Sequence, residues 1–92
     1  MAKAIITLKI MPKSPNTDLD KITTQAEEKI ISFAGETETK KEIEPIAFGL
    51  KALKITFVMD EEKGSTEPLE KEIEKIDGVG SVDVVDVRRA VG

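Results

Sequence analysis

Ala4-Ile5-Ile6-Thr7-Leu8-Lys9-Ile10-Met11 alternates strictly: Ala4, Ile6, Leu8 and Ile10 fall on one side, Ile5, Thr7, Lys9 and Met11 on the other. A period of two with one wholly apolar face predicts a half-buried strand. Met11-Pro12 ends it, and Pro12 and Pro15 bracket a loop holding Ser14 and Asn16. The same alternation returns once more in clear form. Leu53, Ile55, Phe57 and Met59 alternate with Ala52, Lys54, Thr56 and Val58, so Phe57 is expected to point inward. Two such strands need apolar partners for their buried faces, and the segments between and beyond them supply these.

Thr17-Asp18 are plausible caps for a helix. Leu19, Ile22, Ala26, Ile30 and Phe33 follow at spacings of three and four, one stripe of an amphipathic helix that Gly35 stops. The stretch from Glu36 to Glu44 is polar. Thr37 and Thr39 favour a strand, Pro45 must lie at an edge or an end, and alternating charge suits a sheet edge. Asp60-Glu61-Glu62-Lys63-Gly64 reads as a turn. Ser65 or Thr66 then caps a second helix with Glu67 and Pro68 in its first turn. Leu69, Ile73 and Ile76 form its buried stripe, Glu67 and Lys71 are placed to pair, and Gly78 is expected to end it. Ser81 to Val87 is a last strand whose alternation slips at Val84-Val85, which points to a bulge or an early end.

The order is β-α-β-β-α-β. An α+β, ferredoxin-like sandwich follows, with a four-stranded antiparallel sheet and two helices on one face. Thr7, Lys9, Lys54 and Thr56 fall on the other face, which is expected to be largely solvated. With 92 residues, the chain is expected to form one domain, residues 1–92.

Composition narrows the chemistry. There is no Cys, His, Trp or Tyr. That removes disulfides, thiolate metal sites, thiol nucleophiles and imidazole bases. Fourteen Lys and Arg against eighteen Asp and Glu leave a formal charge of −4, which disfavours phosphate-driven nucleic-acid binding. Base-stacking on the central strands would need aromatics where Ile5, Thr7, Lys9, Lys54 and Thr56 stand. Asp60-Glu61-Glu62 lacks the spacing of a calcium loop, and Gly78-Val79-Gly80 lacks a phosphate-binding fingerprint. No metal, cofactor or covalent catalysis is expected. No apolar run spans a membrane, and the first residues from Met1 are too polar for a secretory signal, so a cytoplasmic, membrane-free location is expected.

Two segments resist a purely structural reading. Between the second and third strands, Pro45-Ile46-Ala47-Phe48-Gly49 is apolar where a polar connection is usual. Ile46 and Phe48 either fold back into the core or offer an exposed anchor to a partner protein. At the other extreme, Arg88-Arg89 follow the last strand of an acidic chain, either as a solubilising tail or as a cation for an anionic partner site.

These segments carry a family resemblance. Ile46-Ala47-Phe48-Gly49-Leu50-Lys51-Ala52-Leu53-Lys54-Ile55 and Ser81-Val82-Asp83-Val84 resemble the signature of the translation elongation factor 1-beta family. The acidic turn Asp60-Glu61-Glu62-Lys63 is similar too, and the likeness to the short archaeal form runs the length of the chain. The resemblance implies a guanine-nucleotide exchange factor for the GTPase elongation factor 1-alpha. It is expected to be monomeric when free. In the family, an aromatic residue before Gly enters a pocket on the GTPase. By position this is Phe48, followed by Gly49. A basic residue near the C-terminus reaches the magnesium and phosphate region. By register this is Arg89, where the eukaryotic domain has Lys, with Arg88 as the alternative. A small-molecule-sensing regulatory module or an RNA-binding module would share the fold order.

Overall fold

The computed structural model describes residues 2–35 and 37–90. The expected start of the third segment at Glu36, and the end of the Arg88-Arg89 tail at Val91-Gly92, lie outside them. Four strands form one antiparallel sheet: β1 (Lys3–Pro12), β2 (Thr39–Pro45), β3 (Lys51–Asp60) and β4 (Val79–Ala90), in the order β2-β3-β1-β4. Helices α1 (Leu19–Ala34) and α2 (Glu67–Glu74) complete the β-α-β-β-α-β order. This is the ferredoxin-like architecture the alternation predicts.

The core is the meeting of the two periodicities. Leu8 and Ile10 of β1, and Leu53, Ile55 and Phe57 of β3, are fully buried with Ile22, Ala26 and Ile30 of α1 and Leu69 and Ile73 of α2. Each such side chain contributes about 1.5–3 kcal/mol by leaving water. The opposite sheet face is half-solvated, with the Thr7 and Thr56 hydroxyls bonded across the central strands at 3.0 Å.

Local chemistry fixes the ends of the elements. The Asp18 carboxylate accepts from the backbone N–H of Asp20 and Lys21, capping α1, and Gly35 closes it at φ 85°. At α2 the Ser65 hydroxyl accepts from the Glu67 N–H, while Thr66 donates to the Glu70 carboxylate at 2.8 Å. Polar β2 is indeed an edge strand, with Pro45 at its last position.

Three expectations need correction. The helix α2 stops at Glu74, and Gly78 belongs to the following turn at φ 94°; short-range bonds from Lys75, Ile76 and Val79 tighten this stretch and still bury Ile76. Glu67 and Lys71 do not pair; Glu72 instead meets Lys29 of α1 and Lys75. The last strand runs to Ala90, so Arg88 and Arg89 are strand residues and not a tail. Its pairing with β1 continues to Lys3↔Ala90, because an edge strand tolerates charge on both faces once its backbone has a partner. The expected slip at Val84-Val85 is real: Thr7 pairs with Asp86 and Leu8 with Val84, leaving Val85 unpaired as a bulge.

Candidate partner-binding site

The connection from β2 to β3 is a tight apolar loop. The Ile46 N–H donates to the Leu50 carbonyl at 2.7 Å and the Leu50 N–H to the Ala47 carbonyl at 3.2 Å. Closing the chain in so few residues puts Phe48 at φ 62°, ψ 30°, with Gly49 also at positive φ (75°). Glycine takes this region freely; a phenylalanine there costs about 1–2 kcal/mol. The conformation throws the ring outward, so Phe48 is 93% exposed, while Ile46 is half-buried. Of the two readings of this segment, core filling fails for Phe48. A shallow groove of about 450 Å³ lies beside the loop, where Pro12, Leu19 and Ile43 meet Gly49 and Lys51.

The arginines stand at the far end of the sheet. The Arg88 Nε donates to Asp86 Oδ2 at 3.0 Å along its own strand. Arg89 reaches across to the turn after β3: Nε lies 2.7 Å from Glu61 Oε1 and Nη2 donates to Oε2 at 3.0 Å. Both side chains remain exposed, at 75% and 70%. Beside them Lys3 Nζ lies 3.6 Å from Asp60 Oδ2, and the Glu61 N–H donates to the Ala2 carbonyl.

The candidate residues therefore form two clusters, Phe48-Gly49 and Arg88-Arg89. Strand β3 separates them, and its ten residues span about 33 Å at the usual rise. The molecule is correspondingly long, 42 × 21 × 19 Å. Glu61, which sequence reasoning passed over as part of a solvated turn, is the residue that meets Arg89. It lies 28 positions from Arg89, and only the β1–β3 and β1–β4 registers bring the two together.

On the half-solvated sheet face, Lys54 Nζ lies 2.6 Å from Glu44 Oε2. The hydrogen bond and charge of Lys54 hold the Glu44 carboxyl below its ordinary range, and Glu44 in turn raises Lys54. Among the described residues, no acidic cluster is arranged to hold a metal ion, and no helix is long and apolar enough to cross a membrane.

A family model described as the EF-1 guanine nucleotide exchange domain matches residues 5–90. The chain belongs to the elongation factor 1-beta family. Curated relatives match over nearly their whole length. Elongation factor 1-beta of Methanothermobacter thermautotrophicus is 39% identical over 97% of this chain and 98% of its own. That of Staphylothermus marinus is 44% identical with the same coverage of both chains. Among solved structures, the de novo designed protein Foldit4 superposes with a TM-score of 0.66 over 98% of each chain, at 16% identity, a likeness of fold alone. The exchange-domain match includes the Phe48 loop, the Glu61 turn and both arginines of this elongation factor 1-beta family member.

Proposed function

We propose that the chain, acting as one domain over residues 1–92, promotes GDP release and GTP loading on elongation factor 1-alpha during translation elongation. The observation that carries this reading is Phe48: an aromatic ring 93% exposed on a loop whose backbone is held at positive φ. A fold gains nothing from holding one of its three phenylalanine rings in water. A partner pocket that buries the ring recovers that cost and more.

The exchange mechanism requires no bond to be made or broken. A GTPase holds its nucleotide through a phosphate-binding loop and a Mg²⁺ that bridges phosphate oxygens. A factor that binds the nucleotide-free GTPase more tightly must, by reciprocity, weaken nucleotide binding by the same factor. Phe48 serves as the anchor and shifts the element beside its pocket. A C-terminal guanidinium from Arg89 or Arg88 would supply positive charge to the partner's magnesium and phosphate region. Exchange then runs toward GTP by mass action.

Complex stability tests this directly. Mixed with nucleotide-free elongation factor 1-alpha, the protein is expected to co-elute as a stable complex in gel filtration. Excess GDP or GTP is expected to dissolve it. A complex insensitive to both nucleotides would contradict the exchange reading.

A further inference from the structure

Arg89 and Arg88 differ in how they are held. Among the described residues, the Arg88 side chain pairs with Asp86, two residues earlier on the same strand. Arg89 is gripped by both carboxylate oxygens of Glu61, at 2.7 and 3.0 Å, from a different element. That element is itself fixed. Glu61 opens the short 3-10 turn Glu61–Lys63, and its N–H bonds to the Ala2 carbonyl at the start of β1. The neighbouring strand pairs Ala4 with both Met59 and Arg89, so the carboxylate and the guanidinium hang from one three-strand frame.

We propose that Glu61 is a positioning residue that aims Arg89, and that Arg89 is consequently the arginine presented to the partner. The inference rests on the exchange reading above. The guanidinium has two edges able to bind an oxyanion with paired N–H groups. Glu61 takes the Nε/Nη2 edge. The Nη1 side is left outside the pair and points away from the carboxylate by the planarity of the group. A phosphate or carboxylate group of the partner can therefore be met by a guanidinium already oriented. Its side-chain freedom is partly reduced before docking, which is the usual direction of gain from preorganisation. Because 70% of the Arg89 side chain remains in water, the pair orients the cation without withdrawing it.

Exposed pairs hold their members in place only by a small factor, so loss of the carboxylate should reduce the aimed pose, and with it exchange, by about three- to fivefold. The test is nucleotide release from elongation factor 1-alpha, resolved into the maximal rate and the half-saturating concentration, for Glu61→Gln, Arg89→Ala and the double variant. Glu61→Gln is expected to lower the maximal rate with little change in half-saturation and an unchanged melting temperature. Glu61→Asp, which keeps the charge, is expected to fall between Glu61→Gln and the parent. The double variant is expected to match Arg89→Ala alone, because a positioning residue has nothing left to position. The Arg89 Nε–H resonance is expected to lose its protection from solvent exchange in Glu61→Gln.

A Glu61→Gln protein with the parent's maximal rate overturns the inference while leaving the role of Arg89 intact. So does a Glu61→Gln effect that multiplies fully on top of Arg89→Ala. If Arg89→Ala itself exchanges like the parent, the assignment of Arg89 fails, and the positioning role of Glu61 fails with it.

Discussion

Phe48 stands at φ 62° with its ring in solvent, and these two facts belong together. The fold holds a strained, exposed residue there, which supports the proposed reward from a partner outside the chain. Phe48→Ala is expected to weaken binding to elongation factor 1-alpha by about 2 kcal/mol or more, as for an interfacial aromatic anchor. Titration calorimetry measures this, and the melting temperature should barely move because the ring touches no core. Phe48→Asn separates the two roles further. Asparagine enters the left-handed region more readily, so the variant is expected to gain about 0.5–1 kcal/mol in stability while losing the partner. Urea melts alongside the calorimetry check both. At Gly78 the sign is reversed. Its φ is 94° and a Cβ there would come within 2.8 Å of Thr17 Cγ2, so Gly78→Ala is expected to destabilise by at least about 1 kcal/mol. Composition alone could not separate Ile46 from Phe48; both are apolar and two residues apart. The difference lies in backbone dihedrals set by loop closure, which no hydrophobic period reports.

At the scale of elements, the strict alternation in β1 and β3 and the three-four spacing in α1 were legible because one face of each is buried and the other wet. Even the Val84-Val85 slip marked its bulge. The ends were less legible where hydrogen bonding decides them. β4 reaches Ala90 because β1 offers backbone partners to Arg88 and Arg89, although no apolar residue asks for a strand there. α2 ends at Glu74 although Ile76 continues its stripe, because the turn bonds after Glu72 already bury that residue. Between β2 and β3, the Glu44–Lys54 pair supplies a pH signature. The folded carboxyl of Glu44 titrates below its unfolded counterpart. Its contribution is present above the ordinary carboxylate range and fades as pH falls through the lowered value. Lys54 titrates above its unfolded counterpart, so its contribution is present below the ordinary lysine range and fades as pH rises through the raised value. The melting temperatures of the parent and Glu44→Gln are therefore expected to differ near neutrality and to converge in acid. Thermal melts across pH measure the gap, and a gap that persists in acid would assign the effect to packing.

The whole molecule is a rigid spacer. A sheet with a fully buried central core holds Phe48 at one end and Arg89 at the other, about 33 Å apart along β3. The length follows from the number of residues in β3 and was within reach of the sequence. The pairing of Glu61 with Arg89 was not, since it depends on two strand registers at once. A spacer of this kind lets one end dock while the other acts, so the two clusters should have separable effects. The measurement that tests the central claim most directly is stopped-flow release of a fluorescent GDP analogue from elongation factor 1-alpha, with this protein at catalytic amounts. The account expects a large, saturable acceleration by the parent. Phe48→Ala should raise the half-saturating concentration, and Arg89→Ala should lower the maximal rate more than it weakens docking. Spontaneous release unchanged by the parent protein, with a GTPase verified as active, would contradict it.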